Sequence, residues 1–188
     1  MKVANRGVSS VIGVILMVAV VVILAAIVSV AAFGFVSDIN EPAPNVADNG
    51  GFVIDSSGFF DAQLVQITHI AGDDVSVEEI EIVIRASGPG DSLPKETRLV
   101  ALPASGSSLN DKNIRGDLVA QGSGNDQVID GDPGVTWSSG DTIQFEIKLT
   151  EADFRDPPTN ADAEADELEV VIVHTPSGAI ISQNTFTP

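Results

Sequence analysis

The chain has 188 residues, of which 27 are Asp or Glu and 9 are Lys or Arg, so its formal net charge is −18 at neutral pH. This length is enough for one ordinary domain and one further segment, and too short for a two-domain enzyme of ordinary size. Such a charge argues against a nucleic-acid partner, because no cationic surface could neutralise a row of phosphates. The absence of Cys excludes disulfides, thiolate zinc sites and a Cys nucleophile.

The first predicted element is a long apolar helix near the N-terminus. No residue from Gly7 to Ser37 is charged, and residues 11–36 are almost all apolar. A helix of roughly 28 residues would be about 42 Å long, which exceeds the ~30 Å hydrocarbon thickness of a bilayer. Lipid would enforce the helix, since every backbone N–H must there be paired within the segment. We therefore predict a transmembrane or filament-core helix over residues 8–36.

Charges on the two flanks predict how this segment is oriented. Lys2 and Arg6 precede it, whereas Asp38 and Glu41 follow it. Because positive residues stay on the cytoplasmic side of a membrane, the N-terminus is expected in the cytoplasm and the acidic remainder outside.

Three interpretations of this segment compete. The first is a secretory signal peptide, for which Ser29-Val30-Ala31 offers a cleavage site, although the apolar run is much longer than the usual ~7–15 residues. The second is a plain single-pass anchor. The third is processing after Gly7, which would remove the charged leader and keep the whole helix in the mature protein.

The start of the apolar segment carries a family resemblance. The run RGVSSVIGVILMVA, from Arg6 to Ala19, resembles the leader junction and helix start of archaeal type IV pilins, particularly the haloarchaeal ones. The resemblance implies cleavage by a prepilin peptidase between Gly7 and Val8, which makes residues 1–7 the leader peptide. The peptidase would recognise Arg6 and Gly7, and Val8 would become the new N-terminus. An assembly platform with its ATPase would then extract the subunit from the membrane and pack its helix into a filament core.

Two comparisons separate the branches of this family. Bacterial type IV pilins usually carry Phe at the first mature position and Glu at the fifth, where this chain has Val8 and Ile12, as fits the archaeal branch. Archaellins, the subunits of the archaeal swimming filament, share the leader but usually begin with a Gly-Ile-Gly-Thr-like stretch. The pilin interpretation therefore ranks above the archaellin interpretation.

Small and apolar residues along the helix are the candidates for assembly. Ala25 and Ser29 are four residues apart, which permits close approach of neighbouring helices. The residues predicted to take part in helix assembly are Val11, Ile12, Gly13, Ile15, Leu16, Ala19, Ile23, Ala26, Ile27, Val30, Phe33 and Phe35.

After the helix the composition changes to a linker and then to an acidic β domain. Pro42 and Pro44 favour an extended linker over residues 37–50. In the head domain, residues 51–188, apolar residues alternate with polar ones at the period of half-buried strands. About eight strands favour an immunoglobulin-like β-sandwich, so the predicted fold is an all-β head on a long N-terminal hydrophobic α-helix. The strands are predicted at residues 52–54, 62–70, 80–84, 97–102, 117–120, 143–149, 168–174 and 179–186, with a hairpin turn at residues 175–178.

The part of the chain after the helix carries all of the acid. Residues 38–188 contain 27 acidic and 7 basic side chains, a net charge of −20. Mutual repulsion destabilises such a compact state at low ionic strength, whereas a Debye length of ~3 Å at 1 M salt screens most of it. The pattern predicts a halophilic cell-surface protein.

The head offers little for catalysis. His69 and His174 lie in predicted strands and are expected to be hydrogen-bonded strand residues, and Trp137 is expected to pack at a sheet edge. There is no Gly-x-Ser-x-Gly elbow, phosphate loop or His-Glu-x-x-His motif. Acidic loops at residues 125–132 and 151–167 have the oxygen ligands of a cation site, but we expect them to be solvated loops. We predict no enzyme activity and no catalytic, cofactor-binding or metal-binding residues.

These inferences together predict a structural subunit of an archaeal type IV pilus, a cell-surface filament for adhesion or biofilm formation. Its predicted partners are copies of itself, joined through residues 8–36, the prepilin peptidase, the assembly platform, and the membrane before assembly. No nucleic-acid partner is expected. The alternatives are a membrane-anchored extracellular β module that binds a ligand and never polymerises, and a minor pilin or archaellin.

Overall fold

The computed structural model describes residues 6–36, 42–55, 62–104, 108–122, 128–129 and 133–188. The chain divides into two compact units, Met1–Glu41 and Pro42–Pro188. The described part of the first unit is one α-helix, and that of the second is built from β-strands and two short 3-10 helices, Val77–Glu79 and Ala161–Ala163.

Helix α1 covers Arg6–Val36, a length of 31 residues. It contains no Pro and no charged residue after Arg6, so neither a missing backbone donor nor a buried charge interrupts it. At ~1.5 Å per residue it is about 46 Å long. The predicted N-terminal helix is confirmed.

The second unit contains ten strands in its described residues, and every strand pairing is antiparallel. One sheet has three strands in the order β1-β2-β8, a second has five in the order β10-β9-β4-β5-β6, and β3 pairs with β7. The strands are β1 Val46–Asp55, β2 Ala62–Gly72, β3 Val75–Ser76, β4 Ile80–Ser87, β5 Lys95–Leu99, β6 Ile114–Arg115, β7 Thr136–Trp137, β8 Thr142–Ile147, β9 Glu167–His174 and β10 Ala179–Phe186.

The apolar residues of both sheets meet in one core. Alternate residues of β2 and β8 are buried, among them Val65 and Phe145, and they share an apolar cluster with Ile84 of β4 and Ile172 of β9. Burial of one such side chain contributes about 1.5–3 kcal/mol to folding. Strand β2 lies between β1 and β8, while β4, β5, β6, β9 and β10 form the opposing sheet, which is the strand distribution of an immunoglobulin-like sandwich. The predicted β head is confirmed.

Some predicted strand bounds are wrong. Residues 117–120 form no strand, and of these only Val119 makes an isolated bridge, to Ile147 of β8. Gly116, with φ of 129°, turns the chain immediately before this segment. The amide of Leu118 then bonds to a side chain, the hydroxyl of Thr97, at 2.9 Å, instead of continuing a ladder. One predicted strand is therefore absent, and three strands of only two residues, β3, β6 and β7, were not predicted. The head has ten strands in its described residues instead of the predicted eight.

The head also begins earlier than expected. Strand β1 starts at Val46, so the end of the predicted linker, residues 37–50, is strand. The Gly50-Gly51 pair, which suggests a loop, lies inside β1, and at Gly50 the neighbouring strand leaves no room for a side chain. A Cβ atom on Gly50 would lie 2.5 Å from Asn184 Oδ1 and 2.8 Å from the ring of Phe186.

Trp137 occupies a different environment from the one predicted. It lies on the short strand β7, but its side chain is fully buried in the core rather than at a sheet edge. Its ring centroid is 5.0 Å from that of His69, and its indole N–H donates to the carbonyl of Asp141 at 3.3 Å. The residue is therefore a core residue of the head.

Candidate functional site in the apolar N-terminal helix

The surface of α1 is apolar along its whole middle part. Val11–Val30 is a 20-residue stretch with no buried residue. Its large apolar side chains are 52–74% exposed. A stretch of this length spans about 30 Å, the hydrocarbon thickness of a bilayer. Because a helix that is apolar on every side is stable only inside lipid or protein, α1 needs a partner.

The predicted assembly residues all lie on this one continuous helix. A subset of them is spaced alternately four and three residues apart, which is the spacing of a helix-packing stripe. In the described part of the chain α1 is the one α-helix, so no second helix of the same subunit packs on it. From Val11 to Val30 the predicted residues are all exposed. The members of the stripe are Ile12, Leu16, Ala19, Ile23, Ala26, Val30 and Phe33.

A second face of α1 carries small residues. The hydroxyl of Ser29 donates to the carbonyl oxygen of Ala25 at 2.8 Å, one helical turn earlier. This bond satisfies the hydroxyl within the helix, so Ser29 brings no unpaired polar group into lipid or into a packed interface. Small residues four positions apart let a neighbouring helix approach closely.

The predicted cleavage residues lie at the N-terminal end of the same helix. Arg6, Gly7 and Val8 are in the first turn of α1. Lys2, the other charged residue of the predicted leader, lies outside the described residues. The proposed cleavage bond therefore separates the last leader charge from an uncharged helix.

Residues 6–47 match the family described as archaeal type IV pilin, N-terminal. Over this segment the chain is similar to the archaeal type IV pilins. The match begins at the first residue of α1 and ends at the second residue of β1, so it covers the helix, the connection and the entry to the head. A comparison with curated proteins found no match. The match supports a role as a pilin subunit, and pilins are structural proteins.

The two histidines of the head differ in their hydrogen bonding. His174 is hydrogen-bonded as predicted, since its Nδ1 lies 2.8 Å from the hydroxyl of Ser177. The same prediction is wrong for His69. Both of its ring nitrogens are buried and have no hydrogen-bond partner among the described residues. His69 lies instead against the ring of Trp137.

The acidic loops do not form a cation site in the described part of the chain, where no group of three metal-ligating side chains comes together. Most of residues 125–132 lie outside the described residues. In the loop at residues 151–167 two of the carboxylates, those of Glu151 and Asp153, are bound by basic side chains. Glu151 pairs with Lys95 at 2.6 Å, and the hydrogen bond from Lys95 lowers the pKa of Glu151.

Sequence reasoning missed a charged cluster on the side of the five-stranded sheet that faces away from the core. Arg85 Nε lies 2.9 Å from one carboxylate oxygen of Glu96, and its Nη1 lies 3.0 Å from Glu169. Arg98 contacts the other oxygen of Glu96 at 2.9 Å and Glu81 at 3.3 Å. Hydrogen bonds from Arg85 and then Arg98 hold the pKa of Glu96 below its usual value. The five residues come from three strands, and only the strand register brings them together.

Proposed function

We propose that this chain is the structural subunit of a type IV pilus. It is made as a membrane precursor with its N-terminus in the cytoplasm, cleaved by a prepilin peptidase between Gly7 and Val8, and assembled through α1 into a surface filament for adhesion or biofilm formation. One observation carries the proposal: a leader junction of the pilin type opens directly into a helix with 20 consecutive exposed and mostly apolar residues.

Cleavage is needed for electrostatic reasons. Lys2 and Arg6 are the only charged residues before Asp38. A charged side chain costs several kcal/mol when it is taken out of water without a partner, in a filament core as in a membrane. Removal of residues 1–7 therefore turns a membrane span into an element that can pack among identical helices.

Polymerisation follows from the surface of α1. In the membrane the exposed side chains of Val11–Val30 are covered by lipid, and in a filament they are covered by the helices of neighbouring subunits. Apolar packing and close approach at Ala25 and Ser29 then replace lipid contacts. An assembly platform with its ATPase supplies the work of extraction.

The acidic head would face solvent in such a filament. Residues 42–188 contain 25 acidic and 7 basic side chains, a formal charge of −18. Heads of the same charge repel one another in dilute buffer, and molar salt screens this repulsion. The proposed filament is therefore that of a cell living in concentrated salt.

The first test is intact mass and N-terminal sequencing of the protein purified from filaments of its own cells. We expect a chain that begins at Val8. Gly7→Val should leave the leader in place and prevent filaments, because the side chain fills the cleavage position. Gly13→Val makes the same change six residues further on, where a Cβ atom meets nothing within 4 Å, and should be cleaved normally. Normal mature filaments from the Gly7→Val chain would overturn the proposal.

The same preparation distinguishes the competing functions. A chain that begins at Met1 and is missing from purified filaments would be an anchored β module that binds a ligand. A mature chain present at a few copies per filament would be a minor pilin, so the stoichiometry separates the minor from the major subunit. Rotation of the filament during swimming would identify an archaellin.

A further inference from the structure

The outward-facing side of the five-stranded sheet, which we call the outer face, differs in charge from the rest of the head. Its charged side chains are three Arg and four Glu, so its net charge is only −1. Nearly all of the formal charge of −18 carried by residues 42–188 therefore belongs to other parts of the head. The seven charged residues of the outer face are Glu81, Arg85, Glu96, Arg98, Arg115, Glu167 and Glu169.

Apolar side chains occupy the other half of the outer face. Val83 of β4 lies opposite Val171 of β9, and Val173 of β9 lies opposite Ile180 of β10. They line one side of a shallow groove of about 360 Å³. Its other lining residues are Glu81, Arg85, Arg98, Glu169 and Gln183. Ile180 at the margin of this groove is 59% exposed. The outer face thus combines a partly apolar groove with nearly balanced charges.

The Arg and Glu side chains of the outer face are exposed and hold one another only weakly. The five side chains that form ion pairs there are 25–51% exposed, and ion pairs of this kind contribute at most about 1 kcal/mol each. Arg and Glu can therefore exchange partners with a second surface at little cost. Two copies of the strongly acidic surfaces elsewhere on the head repel each other, so those surfaces cannot form a contact at similarly low cost.

We infer that the outer face is the surface through which the head of one subunit docks on the head of a neighbouring copy of this chain. The inference rests on the proposed function, since polymerisation through α1 is what brings the heads together. On a head with a large net negative charge, a face with nearly balanced charges and a partly apolar groove is one that a second copy can approach with little repulsion. Because the helices already tether the subunits, even a small contact area is sufficient.

Labelling of a single thiol tests the inference, since the chain has no Cys of its own. Ile180→Cys places a thiol on the outer face, and Ile70→Cys places one at an equally exposed position, 56% against 59%, near the end of β2. Each chain is treated with a maleimide as intact filaments and after dissociation in detergent. We expect filaments to slow labelling at position 180 by about tenfold or more and to leave labelling at position 70 unchanged.

A charge reversal added to the Ile180→Cys chain gives a second test of the docking surface. Arg85→Glu adds repulsion to the outer face and should restore rapid labelling of the thiol at position 180 in filaments. Lys112→Glu makes the same change of charge on an exposed turn and should leave that thiol protected. The fluorescence of Trp137, the one tryptophan, verifies that each head is folded.

The outcomes separate the inference from the proposed function. Filaments in which the thiol at position 180 reacts as fast as in detergent would overturn the docking surface and leave the pilin function intact. Equal protection at positions 70 and 180 would also overturn it, because burial would then be general. If mature chains form no filaments, the proposed function fails, and the docking surface fails with it.

Discussion

The guanidinium of Arg155 binds the buried carboxylate of Asp153 through both oxygens, with 2.8 Å between Nε and Oδ1 and 2.8 Å between Nη2 and Oδ2. The amide of Thr159 donates to the same carboxylate at 2.7 Å. The backbone of Asp153 pairs as well, with Ala163 and Ala165. One fully buried carboxylate therefore fixes the long loop between β8 and β9.

Asp153→Asn should destabilise the head by about 3 kcal/mol, because it removes the buried negative charge that the guanidinium of Arg155 and the amide of Thr159 bind. The measurement is urea unfolding of the detergent-solubilised chain, followed by the fluorescence of Trp137. Asp156→Asn removes an exposed carboxylate three residues away in the same loop and should change the free energy of unfolding by less than about 0.5 kcal/mol. Equal stability of the two variants would contradict the assigned role of the pair.

The same carboxylate predicts a pH dependence. Burial by itself raises the pKa of Asp153, but hydrogen bonds from the Arg155 side chain and from the Thr159 and Arg155 amides outweigh it and hold this pKa below its usual value. A lowered folded-state pKa contributes stability above the unfolded-state pKa of about 3.9, and this stability is lost as pH falls through the folded-state value. The difference in unfolding free energy between wild type and Asp153→Asn should therefore narrow below about pH 4.

Substitution of two buried polar residues on the core side of β2, Gln63 and His69, should change the stability of the head in opposite directions. Gln63 donates to the carbonyl of Ala152 at 2.7 Å and accepts from the amide of Phe154 at 2.7 Å. Gln63→Leu leaves both backbone groups buried and unpaired, so we expect a loss of about 2–3 kcal/mol. His69→Phe keeps an aromatic ring against Trp137 and removes two unpaired nitrogens, so stability should be unchanged or rise by about 1 kcal/mol.

Thermal unfolding of both variants measures this contrast. The two positions share a strand and complete burial, so the comparison isolates the hydrogen bonds. A loss of stability in His69→Phe as large as that in Gln63→Leu would show that the imidazole has a partner that the described residues do not supply.

The helix and the longer strands follow from sequence alone for simple reasons. Composition determines α1, because an uncharged apolar run of that length has no other stable conformation in lipid. Alternation over several residues predicts β4, β8 and β9. A two-residue strand such as β3 or β7 carries no period, so its existence depends entirely on the chain that packs beside it. The early start of β1 is missed because Gly50-Gly51 has the composition of a turn.

The candidate sites also differ in whether the sequence alone could predict them. The leader junction and the apolar helix are local patterns, and local patterns are readable in a sequence. The outer face is not local, since Arg85, Glu96 and Glu169 lie on three strands and meet only through register. The unpaired nitrogens of His69 are equally non-local. Whether a buried imidazole finds a partner depends on segments distant in sequence.

Adjacent glycines in β1 provide a further prediction. Gly50→Ala places its Cβ against the side chains of Asn184 and Phe186, and Asn184 is held in place by a hydrogen bond of 2.6 Å to Asp48. We expect a loss of about 1–3 kcal/mol from this overpacking. Gly51→Ala meets its nearest atom, the carbonyl oxygen of Gln66, at 3.9 Å and should be neutral or slightly stabilising. Chemical denaturation that ranks the two variants in the reverse order would contradict the described packing of β1.

The charge of the head predicts that its stability depends on salt. With 25 acidic and 7 basic side chains in residues 42–188, repulsion extends over more than 10 Å at about 0.05 M salt and over ~3 Å at 1 M. The unfolding midpoint of the chain, measured by Trp137 fluorescence in a non-ionic detergent, should therefore rise with KCl. A head that is equally stable at about 0.05 M and 2 M KCl, without divalent ions, would contradict this expectation.

A set of surface substitutions shows whether repulsion between carboxylates is the cause. Asp74, Asp91 and Asp117 are exposed. Their joint change to Asn should stabilise the head by about 1 kcal/mol at low salt and by little at high salt, because three repulsive charges are gone. Their joint change to Glu keeps the charge and should leave the salt dependence as in wild type. If the Asn and Glu variants respond to salt alike, excluded-solute effects of the salt rather than charge screening would explain the dependence.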